Sequence, residues 1–245
     1  IKVRSPELHF NVVYPKATAP QQFQELMDAI CQIVSGDSRD QLYWQIPEAA
    51  EISGYRYSGE QYDHGDRIEY NIDFTIRYFS TKQQHEQAKK AANQVADQAE
   101  TLYNHEVDRL KFGFDWLVNK TDYAYVPGTR QPLDRLPNGV STHSAFSVIS
   151  DQQTVCQGYT SFLAQIYTRL GTPIFIASSE ADNHMWMLAQ VGNNWYHLDP
   201  THADRTADGL GVDYDFFLRS ADNMSEYPLH TMYTHFPAAP YDYYR

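Results

Sequence analysis

Two cysteines, Cys31 and Cys156, are all that 245 residues contain. That scarcity excludes a disulfide-stapled scaffold, and a bridge between the two would consume the more promising thiol, so both are expected to be reduced. Basic residues are also few, 19 against 31 acidic ones, for a formal charge of −12. A surface of that sign repels phosphate backbones and anionic lipid, so no nucleic-acid partner is expected. Long apolar runs are missing as well: no stretch reaches the roughly 20 residues that cross a bilayer, and no signal-like segment opens the chain, so no membrane insertion is expected. The chain starts at Ile1 rather than Met, so something is expected to have preceded it. Localisation stays open between the cytosol and export from an organism that uses few disulfides.

What is present begins with a small α+β pattern. Pro20 suits a first helical turn, and Phe23, Leu26, Met27, Ile30 and Ile33 recur at helical spacing until Ser35-Gly36, with Cys31 read as a small buried residue beside the stripe. Ile68, Tyr70, Ile72, Phe74, Ile76 and Tyr78 alternate with polar residues, the pattern of a half-buried strand. Residues 51–58 are its expected antiparallel neighbour across the polar stretch 59–65. After the capping pair Ser80-Thr81, Ala88, Ala92, Val95 and Ala99 predict a helix to about Leu102, and Val107, Leu110, Phe114 and Leu117 a second one toward Lys120. The expected division is an α+β module over 1–102 and a larger core over 103–245. Prolines 127, 132 and 137 mark a long loop between Tyr123 and Ser141.

The core carries the chemistry. Tyr159, Phe162, Leu163, Ile166, Tyr167 and Leu170 form an amphipathic stripe closed by Gly171 and Pro173, which places Cys156 at the first turn of a helix. There the free N–H groups and the helix dipole favour thiolate, and Gly158 is expected to let backbone and substrate approach closely. Residues 184–191 and 194–199 flank Gly192-Asn193, the pattern of a hairpin with a type II′ turn. That turn pairs Val191 with Asn194, sets Trp186 opposite Asp199 and puts His184 diagonally beside Asp199 on the same face; a slip of one residue would separate them. A thiol, an imidazole and a carboxylate are a nucleophile, a base and an orienting group. Each alone also has a plain reading: a packed helix start, a satisfied histidine, a carboxylate capping the Pro200 turn.

Other candidates are weaker. His143, His197 and His202 fit no familiar metal spacing and are expected at the surface or around the site, so no metal is expected. Residues 204–215 resemble a calcium loop loosely, with Thr206 where an oxygen-rich side chain belongs, and a solvated loop is expected instead. Tyrosines such as Tyr241, Tyr243 and Tyr244 read as packing, or as peptide-binding surface where exposed.

Together, residues 155–159 (Val-Cys-Gln-Gly-Tyr), 183–186 (Asn-His-Met-Trp) and 194–201 (Asn-Trp-Tyr-His-Leu-Asp-Pro-Thr) resemble the core of bacterial transglutaminase-like proteins. Residues 114–119 and 214–218 resemble the family's preceding helix and its later aromatic segment, so the likeness spans roughly 105–222. The resemblance implies a papain-like α+β fold, with a central cysteine-bearing helix against an antiparallel sheet. It implies Cys156 as nucleophile, His184 as general base and later acid, and Asp199 as the group that fixes the tautomer of His184. It also implies an oxyanion hole from the Cys156 N–H and an upstream donor, Tyr123 or Tyr125, and places Gln157 and Trp186 beside the substrate. The family often has Asn where Met187 stands, on the strand face away from His184.

The expected activity is attack on a glutamine carboxamide or peptide bond to give a thioester, resolved by an amine or by water, without a cofactor. The partner is a protein or peptide substrate, and the setting implied is bacterial, extracellular or at the cell surface; oligomeric state is not legible. A cysteine peptidase or amidase on the same scaffold is the second reading, and a non-catalytic protein-binding module the third.

Overall fold

The computed structural model describes residues 7–35 and 47–243, which divide into two compact units. Gly36, the expected helix stop, and Tyr244 lie outside the described residues.

The first unit contains strand β1 (Glu7–Pro15), helix α1 (Ala19–Ser35), β2 (Ile52–Asp63) and β3 (Arg67–Tyr78). Its antiparallel sheet has the order β1-β3-β2. β3 is central, and its alternation works as read: Ile68, Tyr70, Ile72, Phe74 and Ile76 are buried together with Met27 of α1, and Phe23 stacks on Tyr70 at 4.1 Å. β2 runs through the stretch expected as a connection, leaving only the turn around His64-Gly65. From Ser58 to Asp63 its residues are exposed, so no apolar alternation betrays the strand. β1 gives a weaker signal than β3: Phe10, Val12 and Tyr14 alternate and pack against the same core, but none of its residues is fully buried.

The second unit comprises 47–51 and 79–243 among the described residues. A 3-10 turn (Pro47–Glu51) is followed by helices α2 (Lys82–Leu102) and α3 (Glu106–Lys120) and by β4 (Asp122–Tyr123). Helix α4 (Phe146–Ser150), β5 (Gln153–Thr154) and α5 (Cys156–Arg169) come next. Then follow β6 (Ile174–Ser179), β7 (His184–Val191), β8 (Asn194–Leu198), α6 (Pro200–Ala203), the short pair β9 (Asp204–Arg205) and β10 (Gly211–Val212), β11 (Phe217–Arg219) and α7 (Ala221–Ser225). An antiparallel sheet of order β11-β8-β7-β6 backs α5, giving an α+β core with the cysteine-bearing helix against the sheet.

Two expectations change here. α2 belongs to the second unit, not to an upstream module ending at 102, because its small face of Ala88, Ala92, Ala96 and Ala99, all at 0 % exposure, packs closely against the helices of the core. α5, moreover, has no wet side opposite its apolar stripe: every residue from Gly158 to Tyr167 is buried, because α2 and α3 cover the side that the sheet does not. Of the polar residues thus enclosed, Thr160 donates to the Met185 carbonyl at 3.0 Å and Ser161 to the Glu51 carboxylate at 3.4 Å, while the buried Gln165 amide has no hydrogen-bond partner among the described residues. Glu51, itself at 0 % exposure, also accepts the Ala145 N–H at 2.8 Å and the Ser80 hydroxyl at 2.6 Å.

Candidate active site

Cys156 is the first residue of α5, after Val155 in extended conformation, and its side chain is half-buried. Gly158 permits a close approach, though not the one expected. A Cβ there would lie 1.9 Å from the Thr154 hydroxyl and 2.7 Å from the Thr142 carbonyl oxygen, so the neighbour is protein rather than substrate. That contact joins the thiol's helix to the β4–β5 pair, where Tyr123 is opposite Thr154.

His184 opens β7, immediately after Asn183 at φ 49°, a left-handed conformation that Asn tolerates better than most residues. The hairpin has the expected register, Val191 against Asn194 through Met187 against Leu198. Gly192 takes φ 59° while Asn193 is absent from the positive-φ residues, as a II′ turn requires. Beyond Leu198 the strand ends, and Asp199 becomes the N-cap of α6.

The carboxylate of Asp199 serves both of its sequence readings at once. Its Oδ1 accepts the backbone N–H groups of Thr201 and His202 at 2.8 and 3.1 Å, capping the Pro200 turn. Its Oδ2 accepts His184 Nε2 at 2.7 Å. Sequence reasoning did not foresee two further imidazoles on the same oxygen, His202 Nδ1 at 2.7 Å and His230 Nε2 at 2.8 Å. His202 was expected nearby without a partner; His230, 31 positions from Asp199, offered no local signal.

With Nε2 on Asp199, His184 has Nδ1 left, and its ring lines the same cleft as the Cys156 thiol. Burial disfavours the imidazolium, but the Asp199 charge and hydrogen bond, helped by Cys156, outweigh it and raise the pKa of His184 to about 10. Burial likewise pushes Asp199 up, yet the His184 charge and the bonds from His184, His202 and His230 hold it well below the usual carboxylate range.

Trp186 lies behind this centre rather than beside the substrate. It is at 0 % exposure, stacks on the His184 ring at 5.7 Å, and donates its indole N–H to His197 Nδ1 at 3.0 Å. His197 is not at the surface either; burial and then His230 lower its pKa to about 3, leaving a neutral acceptor. Gln157 lines the cleft, but its amide donates to the Ala50 carbonyl at 2.6 Å and its oxygen meets His143 at 3.0 Å.

The two tyrosines separate. Tyr123 lines the cleft that holds Cys156, and burial, then Cys156, Tyr125 and Asp199, raise its pKa, so its hydroxyl stays protonated. Tyr125, with its ring 4.8 Å away, is 48 % exposed. Two clefts meet at Tyr123 and His184. One of about 200 Å³ reaches Cys156 between His143, Glu180 and Met185. The other, about 490 Å³, runs over His202 between Asp182, Asp204 and Asp208, with Arg130 and Arg205.

His184, Asp199, His202 and His230 also bring potential metal-ligand atoms within 4.8 Å of one another. Their N–O separations are those of hydrogen bonds, and His230 Nδ1 is buried with no bonding partner among the described residues.

No family model and no curated protein matches the chain. Among solved structures it is similar to a TGase, with a TM-score of 0.40 and 17 % identity over 66 % of this chain and 48 % of that one. It is similar to the periplasmic domain of TgpA from Pseudomonas aeruginosa bound to ethylmercury, with a TM-score of 0.33 and 14 % identity over 84 % of this chain and 76 % of that one. A proposed cysteine protease from Cytophaga hutchinsonii gives a TM-score of 0.34 and 15 % identity over 66 % and 69 % of the two chains. The chain thus spans about half the length of the TGase. Likenesses this distant decide nothing about the chemistry. Among the described residues, no helix is long and apolar enough to cross a membrane.

Proposed function

We propose that the protein is a transglutaminase-like thiol enzyme acting on amide bonds through a Cys156 acyl-enzyme. The observation that carries this reading is the 2.7 Å contact between His184 and Asp199, with the His184 ring and the Cys156 thiol lining one cleft that meets a second. In this reading the Cys156 thiol passes its proton to the His184 ring before attack, and Asp199 stabilises the imidazolium so formed.

The sulfur attacks the carboxamide carbon, and the carbonyl oxygen gains negative charge beside the Cys156 N–H and the Tyr123 hydroxyl, which stabilise it. The C–N bond breaks, His184 gives its proton to the departing amine, and a thioester remains. An amine or water attacks the thioester, its proton passes to His184, and the C–S bond breaks. Two clefts suit two reactants, acyl donor over Cys156 and acceptor over His184. Three aspartates against two arginines in the second cleft favour a cationic amine as acceptor.

The test incubates the protein with a glutamine-containing peptide and a labelled primary amine, following both label incorporation and ammonia release. Loss of both in Cys156→Ala is expected, and unchanged turnover in that variant ends the proposal. Ammonia release without incorporation would assign hydrolysis, the amidase form of the same chemistry.

A further inference from the structure

Asp199 receives far more than a carboxylate needs to orient one imidazole. Two backbone N–H groups from α6 hold Oδ1, and ring nitrogens from β7, from α6 and from the segment after α7 hold Oδ2. Against an ionised carboxylate each of those ring nitrogens must be a donor. His184 meets His202 and His230 edge to face, with ring planes at 84° and 88°. The backbone delivers His230 at some strain: Leu229 before it has φ 70°, a conformation that costs a bulky residue about 1–3 kcal/mol. Both the His230 and Asp199 side chains are at 0 % exposure, so water does not compete for these bonds.

We infer that His202 and His230 are positioning residues that act through Asp199, holding its carboxylate ionised and at one angle so that it can hold His184 toward the sulfur. This rests on the reading of Cys156, His184 and Asp199 as the reacting unit. The backbone N–H groups on Oδ1 and His184 on Oδ2 set the carboxylate's angle, and the two further donors on Oδ2 narrow its swing about the last side-chain bond, which the imidazole it orients would follow. The hydrogen bonds from His202 and His230 also lower the pKa of Asp199, so losing either moves the acid limit of the assembled site to higher pH.

The donor atoms supply a discriminating test. His202 uses Nδ1, which an Asn amide nitrogen imitates, and His230 uses Nε2, which Gln imitates. His202→Leu and His230→Leu keep bulk and lose the donor; His202→Asn and His230→Gln keep the donor and lose the ring. Each variant and the wild type are alkylated with iodoacetamide from about pH 4 to about pH 9, and the adduct on Cys156, as distinct from Cys31, is quantified by peptide mass spectrometry.

The Leu variants are expected to react about tenfold more slowly, with the acid limb of the profile at higher pH, and the Asn and Gln variants to recover most of the wild-type profile. Profiles unchanged in all four variants overturn the inference. So does equal loss in Leu and amide variants, which would assign the two histidines to packing. Turnover of the glutamine peptide in Cys156→Ala is scored separately, so failure of the enzymatic reading is told apart from failure of this one.

Discussion

A methyl group at position 158 has nowhere to go. The Thr154 hydroxyl that it would strike is fixed by donating to the Thr142 carbonyl at 2.6 Å and accepting from Ser147 at 2.7 Å, and the second obstacle is the Thr142 backbone itself. Gly158→Ala must therefore push the thiol-bearing helix away from the β4–β5 pair, at about 3 kcal/mol or more. Urea unfolding of the variant should show that loss, and wild-type stability would sink this account of the glycine. At the same scale the sequence disclosed the site unevenly. The contact between His184 and Asp199 was legible because the hairpin register brings the two together, and the place of Cys156 at the start of α5 because an apolar helical stripe follows it. His230 was not, since its contact with Asp199 depends on the path of a segment without regular structure after α7. Trp186 was misplaced because alternation along a strand tells which face a residue is on, not whether another layer covers that face.

Among the elements, α2 shows how a local signal governs a distant one. Its cap is a full capping box: the Gln84 N–H donates to the Thr81 hydroxyl at 3.2 Å, and the Thr81 N–H to the Gln84 side chain at 2.9 Å. Removing it with Thr81→Ala should cost about 1 kcal/mol and lower the melting temperature by about 2–4 °C. The alanine face that lies against the core begins at Ala88, beyond the first turn, so fraying should spare it. Iodoacetamide labelling of Cys156 in the folded variant should therefore keep its wild-type rate, and a large change would mean that the cap reaches the thiol. Strong periodicities such as β3, α2 and the β7–β8 hairpin were readable from the chain. The outer half of β2 was not, because an exposed strand takes its order from backbone pairing with β3 rather than from a buried face; β1 was not, because its inward Phe10, Val12 and Tyr14 are only half-buried and the exposed Val13 blurs their alternation. The fully enclosed α5 read as amphipathic because Thr160, Ser161 and Gln165 imitate a wet side while sitting inside.

For the whole molecule, the buried carboxylate and its imidazoles make folding pH-dependent in a way whose sign is fixed. The pKa of His184 rises from 6.5 to about 10 on folding, so its stabilisation is complete below about pH 6.5 and is lost as pH climbs through about 10. That of Asp199 falls from 3.8, so its share is present above about pH 4 and is lost as pH drops further. Much of this is one attraction seen from two partners, so the two shares do not add. His184→Gln keeps an amide donor for Asp199 and removes the charge, so the stability difference between wild type and variant isolates the ion pair. Chemical denaturation across pH should show the wild type ahead between about pH 4 and about pH 6.5, with the gap closing steadily toward about pH 10. A gap that stays constant over that range would mean that His184 is neutral when folded. The proton delivered to the departing amine would then have to come from the thiol after substrate binds.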